Sequence, residues 1–370
     1  MKLVFSGNTA WSMYNFRRNI LMECVAKGYE TFVLAPEDST YEQLITGLGC
    51  KFIPIVLERK GKNPVKEVSL YLKYKRILKS IRPDGCFFYT IKPNIYGSLA
   101  AASLRIPYVP ITTGLGYVFN VDNLLNKIVK FLYKMAFRKA CQVWFLNNDD
   151  LASFVDERII PLEKTKVLKG EGIDVEHFEI HADMVQQPVF LLLARMLWDK
   201  GVGIYVEAAK IIKAKYPQAR FQLLGAVDDE NPMGISLMQL EDWNKKGYVE
   251  YLGVTDDVRP YIYQSSCVVL PSYYREGIPF CLMEGAAAGK PLITTINTGC
   301  REVVEDGYNG FLCKTKDVDS LVEAIDRFLL LDTHERTQMG LNGRQKMMRE
   351  FGIDVIKDVY AEAIDSFFKK

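Results

Sequence analysis

Histidine is scarce in this 370-residue chain, at three copies, and its eight cysteines show neither a CxxC nor any other ligand spacing. With so few soft ligands in no recurring pattern, neither a metal site nor a disulfide framework is expected. The thiols read as those of a reducing, cytoplasmic compartment. Long apolar runs are missing too. Among the longest charge-free stretches, Ile106–Val121 is broken by Pro, Gly and Thr, far from the about 20 apolar residues of a membrane span. The opening MKLVFSGNTAW holds three apolar residues before Ser6 and Gly7, a first β-strand rather than the core of a signal peptide. Repeats of short period and low-complexity segments are absent. Strong charge of one sign is absent as well, the net being +2. The first 180 residues nonetheless carry 25 Lys+Arg against 18 Asp+Glu, and the rest 22 against 27. A basic first half suits an anionic partner, and neither half is charged like a nucleic-acid-binding domain.

What is present is an alternation. Strand-like runs fall at Lys2–Ser6, Thr31–Ala35, Lys51–Leu57, Gly85–Tyr89, Tyr108–Ile111, Gln142–Leu146 and Lys166–Leu168. Helical patterns fill the gaps at Met13–Lys27, Thr40–Leu48, Pro64–Ile81, Ile95–Leu104, Asp122–Ala140 and Asp149–Phe154. A polar linker spans Glu179–Pro188, and the alternation restarts at Val189–Leu193 and continues through Arg220–Leu224, Tyr248–Gly253 and Cys267–Leu270. The length suits two domains, and alternation of this kind predicts parallel sheets covered by helices on both faces. We place the domains at residues 1–180 and 181–350, with a last helix over residues 351–370 that crosses back onto the first.

The densest chemistry lies in LPSYYREGIPFCLMEGAAAGKPLITT, Leu270–Thr295. It reads as strand, loop, helix and strand. Pro279 stands at the first helical position, where a proline sacrifices no hydrogen bond, and Gly289 ends the helix. Glu276 precedes the helix and Glu284 follows in its second turn, while the amides of Gly277, Ile278 and Phe280 stand at the positive end of its dipole. Carboxylates and amides at a parallel strand's carboxyl end suit a hydroxyl-rich, anionic ligand. Two glutamates at that spacing also occur on solvated helices. In LLARMLWDKGVG, Arg195 and Lys200 sit between a strand and a helix, arranged as a diphosphate clamp, although singly each reads equally as a surface charge. The loop Gly7–Ser12 leads to Arg17 and Arg18, and Arg18 reads as part of a solvated helix face. TTGLG at Thr112–Gly116 offers glycines for close backbone approach, or simply for a turn. His177 and His181 have no partner at ligand spacing.

These motifs together resemble the signature of the family 4 retaining glycosyltransferases. The carriers are LARMLWDKGV, GAVDDENP, VEYLG, PSYYREGIPF and TGCREVVEDG, with EGIDVEHF resembling the element that closes the first domain. Within that family they resemble bacterial transferases that extend a diacetylbacillosamine carried on undecaprenyl diphosphate. The resemblance implies a GT-B fold, an α/β architecture of two Rossmann-like domains facing across a cleft. It also implies a UDP-sugar donor, no cofactor and no metal. By the same resemblance Arg195 and Lys200 bind the diphosphate, Glu284 the ribose, and Glu276 with Gly277, Ile278, Pro279 and Phe280 the sugar. Gly7 and the loop at Val254 complete the donor side. Asn8, Arg17, Thr113, Gly114 and Gly116 form the acceptor side, Thr113 standing where those relatives carry an acidic residue. Arg195, Lys200 and Glu276 are the expected catalytic groups. A sugar-nucleotide 2-epimerase and a non-catalytic glycan-binding subunit remain as rival readings of the same architecture.

One more expectation concerns a membrane. Lys127, Lys130, Lys134 and Arg138 recur at spacings of three, four and four, one narrow stripe on a helix. Leu125, Ile128, Leu132 and Met135 are expected to lie opposite and pack on the sheet. With nine further basic residues between Glu58 and Arg82, near Tyr71, Leu72 and Tyr74, the stripe reads as a peripheral surface for anionic lipid on the inner face of the cell membrane. The alternative is an ordinary solvated face.

Overall fold

The computed structural model describes residues 1–57, 64–114, 124–181 and 187–369. The chain divides into two compact units, Met1–Gly172 with Ile353–Lys370, and Ile173–Gly352. Residues 173–180, assigned above to the first domain, belong to the second unit. The Ile173 amide donates to the Phe351 carbonyl at 2.9 Å, and Arg344 donates to the Phe178 carbonyl at 2.6 Å.

In the first unit, β1 (Lys2–Ser6), β2 (Glu30–Ala35), β3 (Lys51–Pro54), β4 (Gly85–Tyr89), β5 (Tyr108–Thr112), β6 (Val143–Phe145) and β7 (Thr165–Val167) form one parallel sheet. Its order is β3-β2-β1-β4-β5-β6-β7. Runs such as GCFFY in β4, buried at every position, lack the alternation of a half-exposed strand because helices cover both faces. These helices are α1 (Ala10–Ala26), α2 (Ser39–Gly47), α3 (Pro64–Ile81), α4 (Ser98–Leu104), α5 (Leu124–Phe137) and α6 (Asn148–Asp156). Helix α1 begins three residues earlier than expected. The Thr9 side chain accepts the Ser12 amide at 3.1 Å and caps the helix, so the Gly7–Ser12 loop is shorter than the sequence suggested. The third strand stops at Pro54, three residues earlier than expected. The helix expected from Ile95 starts instead as a π turn, Pro93–Gly97.

The second unit repeats the design. Strands β8 (Val189–Leu193), β9 (Arg220–Leu224), β10 (Glu250–Tyr251), β11 (Cys267–Leu270), β12 (Leu292–Thr295) and β13 (Gly310–Cys313) form a parallel sheet in the order β10-β9-β8-β11-β12-β13. Its helices are α7 (Val202–Lys215), α8 (Leu237–Lys245), α9 (Arg259–Gln264), α10 (Phe280–Ala287), α11 (Cys300–Val303), α12 (Val318–Leu330) and α13 (Thr333–Lys346). Phe190, Phe221 and Tyr205 stack in its core beside Phe328. Both sheets reverse direction of winding next to their first strand, between β1 and β4 and between β8 and β11. Open parallel sheets bind ligands at the carboxyl ends of the strands at such a reversal.

The last helix, α14 (Ile353–Ala363), belongs to the first unit. Tyr360 shares a hydrogen bond of 2.7 Å with the Tyr89 hydroxyl and lays its ring against Phe87 and Trp144 at 4.9 and 5.0 Å. A Cβ at Gly85 would stand 2.0 Å from the Phe368 ring, so the glycine opens the space that ring fills.

Helix α5 differs from expectation in which face it buries. Asn126, Tyr133, Ala136 and Phe137 face inward, and Tyr133 and Phe137 pack on Phe154 at 5.2 and 5.8 Å. Leu125, Ile128 and Met135, expected on the sheet, are exposed, as are Leu124 (74%) and Phe131 (61%). Only Leu132 turns partly inward. At about 100° per residue Leu124, Ile128, Phe131 and Met135 all fall within about 100° of Lys127, so they flank the basic stripe instead of opposing it. Tyr74, counted above with surface residues, is buried and shares a hydrogen bond with Ser6 at 2.8 Å.

Candidate active site

Two loops build the site, one from each strand at the reversal of the second sheet. After β8, a 3₁₀ turn over Trp198–Lys200 is closed by Gly201 at φ 79°. A Cβ there would meet the Pro271 carbonyl oxygen at 2.0 Å, so both the left-handed backbone and the close approach of the β11 loop require glycine. The Asp199 carbonyl accepts the Tyr273 and Tyr274 amides, both at 2.9 Å, and the Ser272 hydroxyl at 3.3 Å. The loop after β8 is thereby fastened to the loop after β11.

That fastening brings together residues 76 positions apart. Lys200 Nζ donates to Glu276 Oε1 at 2.5 Å, and the Ser272 hydroxyl donates to the same oxygen at 2.9 Å. Glu276 is 7% exposed. Burial alone would lower the Lys200 pKa, but the Glu276 carboxylate and its hydrogen bond outweigh it and hold the ammonium above the ordinary lysine value of 10.5. The raised Lys200 value contributes stability that is present below about 10.5 and lost as pH rises past the raised value. Lys200 also stands 5.1 Å from the centre of the Tyr274 ring, a cation–π contact.

Arg195 leaves the same loop toward solvent and pairs with Asp228 at 3.0 Å. Asp228 belongs to the GAVDDENP run after β9, the strand beside β8. Both cations expected to form the clamp thus rest on carboxylates. Helix α10 starts at Phe280, with Pro279 capping it rather than occupying its first turn. Its end is a Schellman motif, the Gly289 amide bonding the Ala286 carbonyl at 3.0 Å and the Lys290 amide the Gly285 carbonyl at 2.9 Å. Glu284, partly buried one turn into α10, has a carboxyl pushed up to about 8, first by burial and then by the nearby Asp257 charge. That repulsion places the loop carrying Val254, itself exposed, on the side of Glu284. Asp257 is fixed by a two-pronged bond to Arg259, both contacts 2.8 Å.

The expected residues Arg195, Lys200, Val254, Glu276, Gly277, Ile278, Pro279, Phe280 and Glu284 thus collect at one edge of the second sheet. Gly7, Asn8, Thr113 and Gly114 lie at the carboxyl ends of β1 and β5 in the other unit, and Gly116 lies outside the described residues. Arg17 is corrected. It is 3% exposed and bonded to the buried Glu171 carboxylate, with its guanidinium 4.4 Å from the centre of the Tyr89 ring, so its charge is engaged inside the first unit. Sequence reading missed Asp228, Ser272, Tyr274 and the Glu171 partner. Asp228 was detectable as an acid at the end of a strand that must adjoin β8; the others depend on pairings that span the chain.

A glycosyl transferase 4-like family model matches residues 2–147, and the glycosyl transferases group 1 model matches residues 175–346. The chain is 31% identical to the N,N'-diacetylbacillosaminyl-diphospho-undecaprenol alpha-1,3-N-acetylgalactosaminyltransferase of Campylobacter jejuni, with 100% of both chains covered. It is 26% identical to the UDP-Gal:alpha-D-GlcNAc-diphosphoundecaprenol alpha-1,3-galactosyltransferase of Escherichia coli over 81% of each. The fold is shared with Anabaena HepE, solved in complex with UDP, at a TM-score of 0.80 and 20% identity over 99% of this chain and 100% of that one. These matches give no support to the epimerase or to the non-catalytic subunit. Two Rossmann-like units, two family models matched in succession and a relative matched end to end at this identity place the chain in the glycosyl transferases group 1 family, as a glycosyltransferase.

Proposed function

We propose that this enzyme transfers an N-acetylhexosamine from a UDP-sugar, with retention, to a lipid-linked glycan acceptor in the assembly of a surface glycan. The observation that carries the reading is the Lys200–Glu276 pair at the winding reversal of the second sheet. In the free enzyme each partner neutralises the other. When the donor enters, its diphosphate takes over Lys200 and Arg195, and the released carboxylate of Glu276 accepts hydroxyls of the donor sugar. Glu284 accepts the ribose hydroxyls. As the sugar–phosphate bond breaks, negative charge grows on the departing diphosphate, where two fixed cations stabilise it more than they did the intact donor. A phosphate oxygen, on the face from which it leaves, takes the proton of the attacking acceptor hydroxyl. Charge neutralisation by side chains makes a metal dispensable, and turnover persists in a chelator. The names of the Campylobacter and Escherichia relatives support a diphospho-undecaprenol-linked acceptor.

The acceptor's lipid explains the outer face of α5. No described helix is long and apolar enough to cross a membrane. Exposed Leu124, Ile128, Phe131 and Met135 beside Lys127, Lys134 and Arg138 instead form a surface for insertion among anionic headgroups. Lys130 contributes less, being paired with Glu157 at 2.6 Å. Val65, Val68 and Leu72 of α3 are exposed too, and α3 and α5 pack on the same π turn. The enzyme works as a peripheral protein on the inner face of the cell membrane. The deciding experiment offers UDP-N-acetylglucosamine, UDP-N-acetylgalactosamine, UDP-galactose and UDP-glucose with a synthetic undecaprenyl-diphosphate-linked N-acetylhexosamine. Lipid-linked disaccharide from one UDP-N-acetylhexosamine is the expected product. Product from UDP-galactose or UDP-glucose alone overturns the reading.

A further inference from the structure

A second lysine–glutamate pair stands at the winding reversal of the first sheet. Lys92 follows β4, which borders that reversal, and its Nζ lies 2.5 Å from Oε1 of Glu67 in the first turn of α3. Each side chain keeps 16% of its surface exposed, so the pair is sheltered and still reachable. The Tyr96 phenol is pushed well up by burial and then by the Glu67 charge beside it, so it joins the pair as a neutral hydroxyl.

Three further observations converge on the same spot. Thr90, the residue that leaves β4, has φ 67°, a left-handed backbone that a β-branched residue adopts only under constraint. The chain then continues through the π turn Pro93–Gly97, a form that concentrates at functional sites. Polar atoms there are left over. Glu67 Oε2, Asn94 Oδ1 and Thr112 Oγ1 are buried without a partner, while the Asn94 amide group donates to the Ile111 carbonyl at 2.9 Å, fixing Asn94 beside Thr112. Buried polar atoms are nearly always satisfied, and a group of three unsatisfied ones calls for a ligand or an ordered rearrangement. Strain, a π turn and the unmet Asn94 oxygen occupy the loop after β4, with Thr112 ending β5 and Glu67 held from α3 by Lys92, at the strand ends where an open parallel sheet takes its ligand.

We propose that Glu67 and Lys92, backed by Asn94 and Thr112, recognise the acceptor's terminal sugar. The pair is neutral overall, and the unmet Glu67 and Asn94 oxygens are acceptors while the Thr112 hydroxyl can also donate, which favours hydroxyls and an acetamido group over a diphosphate. Glu67 accepts sugar hydroxyls and Lys92 donates to ring or acetamido oxygens, so the two are positioning and specificity residues for the acceptor. This inference rests on the reading that the first unit takes the acceptor.

The test measures both Michaelis constants with a prenyl-diphosphate-linked N-acetylhexosamine for wild type, Glu67→Gln, Lys92→Met and the double variant Glu67→Leu/Lys92→Met. Loss of a hydrogen bond to a charged group predicts an acceptor KM raised tenfold to a hundredfold in each single variant. The donor KM and the affinity for UDP hold within twofold. The double variant separates recognition from support. Replacing both charges with apolar groups relieves any unpaired buried charge and preserves the fold, so a purely structural pair would regain the wild-type acceptor KM. An acceptor KM still raised tenfold supports recognition, and a wild-type value overturns it. Unchanged single variants alongside an active wild type also overturn it, leaving the transferase reading intact. Absence of transfer by the wild type overturns both.

Discussion

Replacing Lys200 with alanine perturbs stability and catalysis through separate causes, and a second substitution tells them apart. In the fold, Lys200 is the cation for a carboxylate that is 7% exposed and otherwise held by the Ser272 hydroxyl. Leaving a buried charge without its partner typically costs about 3–5 kcal/mol. In a unit of this size that corresponds to a melting temperature lower by about 10 °C. In catalysis, removing one stabilising donor from the developing charge costs about 2.7–4 kcal/mol, a hundredfold to a thousandfold in turnover. Adding Glu276→Gln to Lys200→Ala removes the orphaned charge and restores the melting temperature to within a few degrees of wild type. It does nothing for the departing diphosphate, so turnover stays low. Calorimetric melting at pH 8, with turnover at saturating donor, measures both. If Lys200→Ala melts like the wild type at pH 8, or if the double variant regains turnover, the role assigned to the pair is wrong.

Three further outcomes follow from the same geometry. Glu284 binds a proton more tightly folded than unfolded, so its favourable contribution is complete below about 4.5 and fades as pH rises through about 8; Glu284→Gln should narrow the difference in melting temperature between pH 6 and pH 9 by several degrees. Glu284→Ala should weaken UDP binding about tenfold, whereas Glu276→Gln, which frees Lys200, should leave it unchanged or stronger; equal losses by calorimetry would refute that division of labour. Reversing Lys127 and Lys134 to Glu removes about 1 kcal/mol of lipid attraction per residue, and with Phe131→Asp should abolish co-sedimentation with anionic liposomes at low salt; wild-type protein that ignores such vesicles would reduce the helix to a solvated face.

Both parallel sheets were legible from alternation, because each strand is an apolar run bounded by turn residues and each helix returns the chain to the same edge. The placing of Arg195, Lys200, Glu276 and Glu284 was legible because they lie in two short motifs at strand ends. What the sequence concealed was pairing at a distance. Asp228 reaches Arg195, and Glu171 neutralises Arg17 across 154 positions, and no periodicity announces such partners. Helix α5 misled for a different reason. Its apolar residues cover more than one face, and burial followed the aromatic packing of Tyr133 and Phe137 on Phe154 rather than the larger count of aliphatic side chains.

The route of the chain has a consequence for its folding. The first unit is interrupted, since Gly172 ends one part and Ile353 begins the other, and a Cβ on Gly172 would stand 2.7 Å from the Ile353 side chain. A chain ended and released after residue 352 has its second unit complete while the first still lacks the tyrosine that bonds Tyr89 and the phenylalanine that fills the space at Gly85. Domains generally fold as units, so such a truncated chain would show a protease-resistant second unit attached to a protease-sensitive first. Deleting residues 173–352 and joining Gly172 directly to Ile353 would allow the first unit to fold by itself.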